Sequence, residues 1–295
     1  LESLVIMSED QKWPRAAGLI SSQVSTIGLI DVPAHKTSLS DTNAHLTPKA
    51  IRAALTRFST FSYSTGIDLS AASIEDLGEI SDPDANEALT SSRITEENKD
   101  LVIALGGDNS ITYAVALGVF GDQLGQAGLI TLDAHHDLRD GISNGSPVRR
   151  LIEAGLDPTR IVQIGINDFS NSPAYAKLAS DLGITVITRS EIAESGIATA
   201  CQRALAIAGS AAGPIHVDLD VDVCDRSVVP ACPAAAPGGI SAHEIRHATR
   251  ILAGHKQVRG FDITEIDASK DSADGRTVRL AALLILEAVA GHLAN

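Results

Sequence analysis

The chain changes from apolar to polar within ten residues, which read Gly128-Leu-Ile-Thr-Leu-Asp-Ala-His-His-Asp137. The first five residues are typical of a buried strand, and four of the last five carry side chains that can bind a metal ion. In extended backbone, residues two apart point to the same side, which predicts that Asp133, His135 and Asp137 converge while His136 points away. The stretch therefore predicts a strand that ends at a metal site.

Similar apolar runs recur along the chain, and longer segments with helical spacing follow them. This alternation predicts an α/β fold built from β-α units around a parallel sheet. The predicted strands cover residues 25–31, 101–105, 128–133, 160–166, 184–188, 215–220 and 260–263. The predicted helices cover residues 49–58, 110–120, 147–153, 174–182, 199–209, 241–252 and 277–292. Residues 64–98 are acidic and lack clear periodicity, so we expect a surface excursion there, within one domain over residues 1–295.

Composition restricts the possible partners and location of the protein. The net charge is −14 without a basic run, which disfavours binding to nucleic acids or anionic membranes. Three cysteines at irregular spacing favour reduced packing residues over a disulfide framework or a zinc motif. No apolar stretch is long enough to span a bilayer, and the charged residues within 1–24 are unlike a signal peptide. We therefore expect a cytoplasmic protein.

A second acidic stretch reads His216-Val-Asp-Leu-Asp-Val-Asp-Val-Cys-Asp225. Strand alternation would place Asp218, Asp220 and Asp222 on one face, where they repel each other unless a cation or protons neutralise them. Exposure of some of these carboxylates at the strand end is the alternative. The spacing thus favours a cation site without fixing which carboxylates form it.

Two further predicted strands end in polar residues, Leu105-Gly-Gly-Asp-Asn-Ser110 and Phe261-Asp-Ile-Thr-Glu-Ile-Asp267. Each signal is weak alone, because paired glycines often serve turn geometry and a single glutamate often lies at the surface. Ligands of an open parallel sheet bind at the carboxyl ends of its strands, so all four stretches point to one site. Oxygen ligands with an imidazole suit manganese, and two such ions lower the pKa of water enough for hydrolysis near neutral pH.

The four stretches together resemble a known enzyme signature over residues 101–267. Gly-Gly-Asp-x-Ser, Asp-Ala-His-x-Asp, Asp-x-Asp-x-x-Asp and a strand-end glutamate occur in the order found in ureohydrolases, the superfamily of arginases, agmatinases and formimidoylglutamases. The resemblance implies a three-layer arginase-like fold, with a parallel sheet of about eight strands and helices on both faces. It also implies a homo-oligomer, such as a trimer or hexamer, and no cofactor besides Mn²⁺.

The resemblance implies a set of Mn²⁺ ligands. These are Asp133, His135, Asp137, Asp220 and Asp222, with Asp133 and Asp220 bridging two ions. Asp225 matches the last aspartate of the family motif, which leaves Asp218 where the family usually has a small residue. Asn109 replaces the usual histidine, as in formimidoylglutamase-like members, so we expect the Mn²⁺ site beside it to be weak or empty.

A loop after the second motif also points toward formimidoylglutamases. Asn144-Gly-Ser-Pro-Val-Arg-Arg150 lacks the arginase histidine and resembles their Ser-Gly-Thr-Pro-Phe-Arg loop, as Asp137-Leu-Arg139 resembles their Asp-Leu-Arg. Asn144, Ser146 and Arg149 are the predicted substrate-binding residues of this loop. Arg149 would pair with a substrate carboxylate through its planar guanidinium, unless it is simply a solvated arginine.

The activity implied by the resemblance is hydrolysis of a linear amidine. The leading substrate is N-formimino-L-glutamate, which would give L-glutamate and formamide in histidine degradation. Glu265 would bind the amidine group of the substrate and also act as a catalytic residue. Asp137, the second catalytic residue, would pass a proton to the leaving amine. Three alternatives release urea, namely arginase, agmatinase or a guanidino-acid ureohydrolase, and a fourth is a degenerate family member without catalysis.

Overall fold

A parallel sheet of nine strands forms the centre of the computed structural model, which describes Asp10 and residues 12–294. The strands are β1 (Ile20–Ser21), β2 (Ile27–Val32), β3 (Phe61–Ser62), β4 (Ile67–Asp68), β5 (Ile74–Glu79), β6 (Leu101–Gly106), β7 (Gly128–Leu132), β8 (Ile161–Ile166), β9 (Thr185–Thr188), β10 (Ile215–Asp220) and β11 (Val258–Thr264). Their order in the sheet is β1-β5-β2-β6-β11-β10-β7-β8-β9, and β3 and β4 form a separate antiparallel pair. The predicted parallel α/β fold is confirmed, and the additional edge strand is β1, which is only two residues long.

Helices cover both faces of the sheet. They are α1 (Thr47–Ala54), α2 (Glu87–Glu97), α3 (Ile111–Phe120), α4 (Pro147–Ala154), α5 (Pro173–Leu182), α6 (Arg189–Ser195), α7 (Ile197–Ala208), α8 (Ala242–Ala253) and α9 (Arg276–Leu293). Helices α1 and α6 to α9 pack on one face, and α2 to α5 pack on the other. In the part of the chain that the structure describes, no helix combines the length and apolarity required to cross a membrane.

Burial on both faces explains the apolar sequence of the central strands. On β6, Leu101, Ile103 and Leu105 belong to the core beneath α1, whereas Val102 and Ala104 face the core beneath α3. A strand covered on both sides needs apolar residues at every position, so its sequence does not alternate. The three cysteines are buried and free, as predicted.

The predicted surface excursion at 64–98 is wrong. This segment contributes β5, which lies between β1 and β2 in the sheet, and α2, which packs on α3. Ile74 and Leu77 of β5 are buried, while Glu75 is ion-paired with Lys99 at 2.5 Å. The acidic composition was misleading because β5 lies near the sheet edge, where only Ile74 and Leu77 of the strand are buried and the other positions stay partly or fully exposed. Residues 1–9 and 11, part of the stretch compared with signal peptides, lie outside the described residues.

The order of the central strands positions the four polar stretches. Strands β6, β11, β10 and β7 are consecutive neighbours in the sheet, and all are parallel. Their carboxyl ends therefore meet at one edge, although the stretches are far apart in the sequence. This edge is where ligands bind in open parallel sheets.

Candidate metal centre and active site

The loop after β7 brings three predicted ligands together. His135 donates its backbone N–H to Asp133 Oδ1 at 2.6 Å, and its Nδ1 lies 2.7 Å from Asp222 Oδ2. One potential ligand atom from each of these three side chains lies within 4.8 Å of the others. Two carboxylates and an imidazole from two strand ends can therefore bind one ion.

The exit of β10 is joined to the same loop. The strand ends at Asp220, whose Oδ1 accepts a hydrogen bond from the Asp222 N–H at 2.8 Å in a tight turn over Val221–Val223. Asp222 Oδ1 accepts from the Ala134 N–H at 2.9 Å, which ties the turn to the β7 loop. Asp220 thus reaches the site as the last residue of the strand, whereas Asp222 reaches it through a turn and not through the strand alternation that we expected.

Asp137 reaches the site through an unusual backbone conformation. Its φ is +52°, in the left-handed region that non-glycine residues rarely adopt. Asp137 Oδ2 accepts from the Asn109 side-chain N–H at 2.6 Å, while Asn109 Oδ1 accepts from the hydroxyls of Thr112 and Thr264 at 3.0 and 2.8 Å. Asn109 therefore presents its NH₂ group to Asp137, whereas a metal ligand would have to present the amide oxygen.

Glu265 follows β11 and also has a left-handed backbone, with φ +64°. Its Oε1 accepts from the Asn109 backbone N–H at 2.8 Å and from the Asn144 side-chain N–H at 2.7 Å. Burial, together with the nearby Asp108, raises the pKa of Glu265 to about 8. The carboxyl group is thus held in a fixed orientation in a surrounding that favours its pairing with a cation.

The electrostatics of the cluster favour the binding of a cation. Burial raises the pKa of Asp137 to about 7 and those of Asp133 and Asp220 well above their usual range. Although burial opposes the charge on both partners, their attraction raises the pKa of His135 to about 9 and lowers that of Asp222. Asp133 Oδ2 is buried without a hydrogen-bond partner. An oxygen-rich set with one imidazole fits Mn²⁺, which would neutralise these carboxylates.

A cavity of about 330 Å³ opens above this cluster. The predicted site residues that line it are His135, Asp137, Asn144, Asp220, Asp222 and Glu265. Ser146 does not line it, because its hydroxyl is buried and hydrogen-bonded to Ser143. Arg149 also lies apart from the cavity, paired with Asp140 at 2.5 Å and with Glu153 at 3.0 Å.

Several residues that line the cavity were not among the predicted site residues, and Arg139 and His136 are two of them. Arg139 lines the cavity, and the Asp-Leu-Arg similarity was the signal that could have identified it. His136 also lines the cavity, but its ring is held by Gln163, with Nδ1 2.6 Å from Gln163 Oε1, and it is not one of the three side chains that group as potential metal ligands. The His136 ring thus contacts β8 and not the ligand cluster.

The sequence model of the arginase family matches residues 25–291 of the chain. This range includes all four strand ends that surround the cavity. The chain belongs to the arginase family. Membership confirms the resemblance on which the predicted hydrolase class rests.

Known relatives of this arginase-family chain agree in sequence and in fold. It is 36% identical to the formimidoylglutamase of Halalkalibacterium halodurans in an alignment of 282 residues that covers 91% of this chain and 88% of the relative. The crystal structure of the Bacillus subtilis formimidoylglutamase superimposes with a TM-score of 0.91 at 30% identity, over 100% of this chain and 97% of that chain. The Trypanosoma cruzi formiminoglutamase, solved with Mn²⁺, shares the fold with a TM-score of 0.86 at 23% identity, over 95% and 98% of the two chains.

Proposed function

We propose that this arginase-family hydrolase cleaves N-formimino-L-glutamate to L-glutamate and formamide. The observation that carries the proposal is the geometry of one cavity, where metal-binding carboxylates lie beside Glu265, a carboxyl group oriented by Asn109 and Asn144. Such a cavity can hold an amidine next to an activated water molecule. The formimidoylglutamases of H. halodurans and B. subtilis support this choice of amidine.

We propose that the chain binds Mn²⁺ through the carboxylates and imidazole of the cluster. The proposed ligands are Asp133, His135, Asp137, Asp220 and Asp222. Two ions are expected, with the weaker one beside Asn109, whose NH₂ group would have to turn away to expose its oxygen. When bound, Mn²⁺ lowers the pKa of water and so supplies a nucleophile at neutral pH.

The protein side chains would bind the substrate and move a proton. Glu265 would accept hydrogen bonds from the amidinium N–H groups through Oε2, since Oε1 already accepts from Asn109 and Asn144. This pairing holds the formimino carbon toward the metal ligands. Asp137 would pass the proton of the attacking water through Oδ1 to the leaving nitrogen, since its Oδ2 already accepts from Asn109.

Several expectations about the protein as a whole belong to the same proposal. We propose that residues 1–295 form one catalytic domain that acts in the cytoplasm as a homo-oligomer, in histidine degradation. Ser146 would support the loop that carries Asn144, because its hydroxyl fixes the turn at Ser143. Size-exclusion chromatography with light scattering and cell fractionation test the oligomer and the location.

A substrate panel with added Mn²⁺ tests the activity. We expect formamide from N-formimino-L-glutamate, and no urea from arginine, agmatine or guanidinobutyrate. Urea from one of these three, without formamide, would assign the chain to that ureohydrolase activity. Absence of both products, with no Mn²⁺ retained under saturating conditions, would identify a non-catalytic family member.

A further inference from the structure

The cavity combines many carboxylates with one arginine. Asp137, Asp220, Asp222 and Glu265 all line it, and Arg139 lines it as well. The whole chain has a net charge of −14. Bound Mn²⁺ would neutralise the carboxylates of the metal cluster, but the acidic end of a substrate with two carboxylates still needs a cation to face it.

Arg139 is available for a ligand. Among the described residues, no carboxylate oxygen lies within 4.0 Å of the Arg139 guanidinium. Arg149, Arg150 and Arg160, in contrast, each form an ion pair. Arg149, the alternative within the same segment, is held by two surface carboxylates and donates to the Leu138 carbonyl oxygen. A free guanidinium can form two parallel hydrogen bonds with a carboxylate, which a paired one cannot do without losing its partners.

The loop fixes Arg139 relative to Glu265. The Arg139 N–H donates to the Gly145 carbonyl oxygen at 3.0 Å, and a Cβ at Gly145 would lie 2.8 Å from Arg139 Cδ. The arginine stem therefore lies directly against Gly145, where a larger residue would displace it. Asn144, the preceding residue, donates to Glu265 at 2.7 Å. One short loop thus connects the proposed amidine-binding carboxylate with the free cation.

We propose that Arg139 binds a carboxylate of the substrate and so selects acidic amidines over neutral or cationic ones. The assignment rests on the proposed function, and it moves carboxylate recognition from Arg149 to Arg139. A cationic substrate without a carboxylate, such as agmatine, gains nothing from a guanidinium at this position. Arg139 is therefore a specificity-determining residue whose removal should raise KM for acidic substrates more than it lowers kcat.

Kinetics of matched variants test the proposal. The variants are Arg139→Gln, Arg139→Lys, Arg149→Gln and, as control, Arg203→Gln, which removes an exposed arginine of α7 that pairs with Glu191. For N-formimino-L-glutamate we expect Arg139→Gln to raise KM about 10–100-fold with little change in kcat, the loss typical of a charged hydrogen bond. Arg139→Lys should recover part of this loss, and N-butylformamidine, which has no carboxylate, should react equally with wild type and Arg139→Gln.

Two results would overturn the assignment. The first is an unchanged KM in Arg139→Gln, and the second is a larger rise of KM in Arg149→Gln than in Arg139→Gln. Calorimetric binding of L-glutamate to the Mn²⁺-loaded protein separates this proposal from the proposed function. If wild type binds L-glutamate more tightly than Arg139→Gln does, but releases no formamide, only the proposed activity is contradicted. If wild type and Arg139→Gln bind L-glutamate equally, the role of Arg139 is contradicted.

Discussion

Asp218 and Asp222 belong to one acidic segment but lie in opposite surroundings. Asp222 follows the end of β10 and lines the cavity, where its carboxylate contacts His135 Nδ1 at 2.7 Å and the Ala134 N–H at 2.9 Å. Asp218 lies within β10, is fully buried, and neither of its oxygens has a conventional hydrogen-bond partner. It faces Asp262 in register on β11. Four residues along the chain thus separate a potential metal ligand from a core carboxyl group.

The pKa values of the two side chains differ in the same way. Burial opposes ionisation of both, but the imidazole of His135 lowers the pKa of Asp222 below its usual value. The pKa of Asp218 is raised far above its usual value by burial and by Asp262. Asp262 in turn contacts His216 Nε2 at 3.0 Å. The comparison teaches that the end of the strand, and not the residue type, decides whether an aspartate can bind metal.

The largest effect should follow from Asp222→Asn, which removes the negative charge of the aspartate that lines the cavity. We expect Mn²⁺ affinity to fall at least about 100-fold and formamide release to fall with it, because Asp222 links both strand ends around the site. Metal analysis after dialysis and kcat/KM measure the change. Asp218→Asn is the matched control and should retain its metal. Equal Mn²⁺ loss in both variants would break the comparison.

A smaller effect should follow from Asn109→His, which adds a stronger ligand on the cavity side. An imidazole nitrogen is a better Mn²⁺ ligand than an amide oxygen, and in this structure Asn109 turns its NH₂ group, not its oxygen, toward Asp137. We expect the weaker site to bind Mn²⁺ about tenfold more tightly, seen as more than one ion retained per chain at limiting metal. An unchanged stoichiometry would show that Asn109 does not limit the second site.

The smallest effect should come from Asp218→Asn in metal-free protein. The raised pKa means that the folded state disfavours the charged carboxyl, whereas the unfolded state ionises near pH 3.9. Asp218 therefore costs stability increasingly as pH rises above about 4, and asparagine removes this cost. We expect the Tm of the variant to exceed that of wild type by about 2 °C at pH 8 and by less at pH 4.5. A lower Tm at pH 8 would mean that the charge stabilises the core.

Much of the fold could be predicted from the sequence, but one part of the sheet could not. The central strands were recognised because both of their faces are buried, which forces apolar residues at every position. β5 was missed because Glu75 and Asp76 sit near the sheet edge and pair with Lys99 and Arg52. These partners come from a loop and a helix elsewhere in the chain, so local periodicity did not reveal them.

The site, like the fold, could be predicted from the sequence only in part. Asp133, His135, Asp220, Asp222 and Glu265 were recognised as candidates because metal-binding side chains after an apolar strand are a local signal. Their meeting at one edge of the parallel sheet was predicted correctly. The alternation expected within each stretch does not continue past the strand ends, and Asp137 and Glu265 have left-handed backbone. The turn after Asp220, which brings Asp222 to Ala134, had no clear signal in the spacing.

The sequence by itself determined the parallel α/β class, the acidic metal chemistry and the family, since these follow from residue types at short spacing. Tertiary structure alone decided that Asp222 faces the cavity while Asp218 enters the core, and that Arg139 remains free while Arg149 is paired. The physical reason is that burial and charge pairing depend on neighbours from distant parts of the chain, which come together only when the strands align at one edge of the sheet.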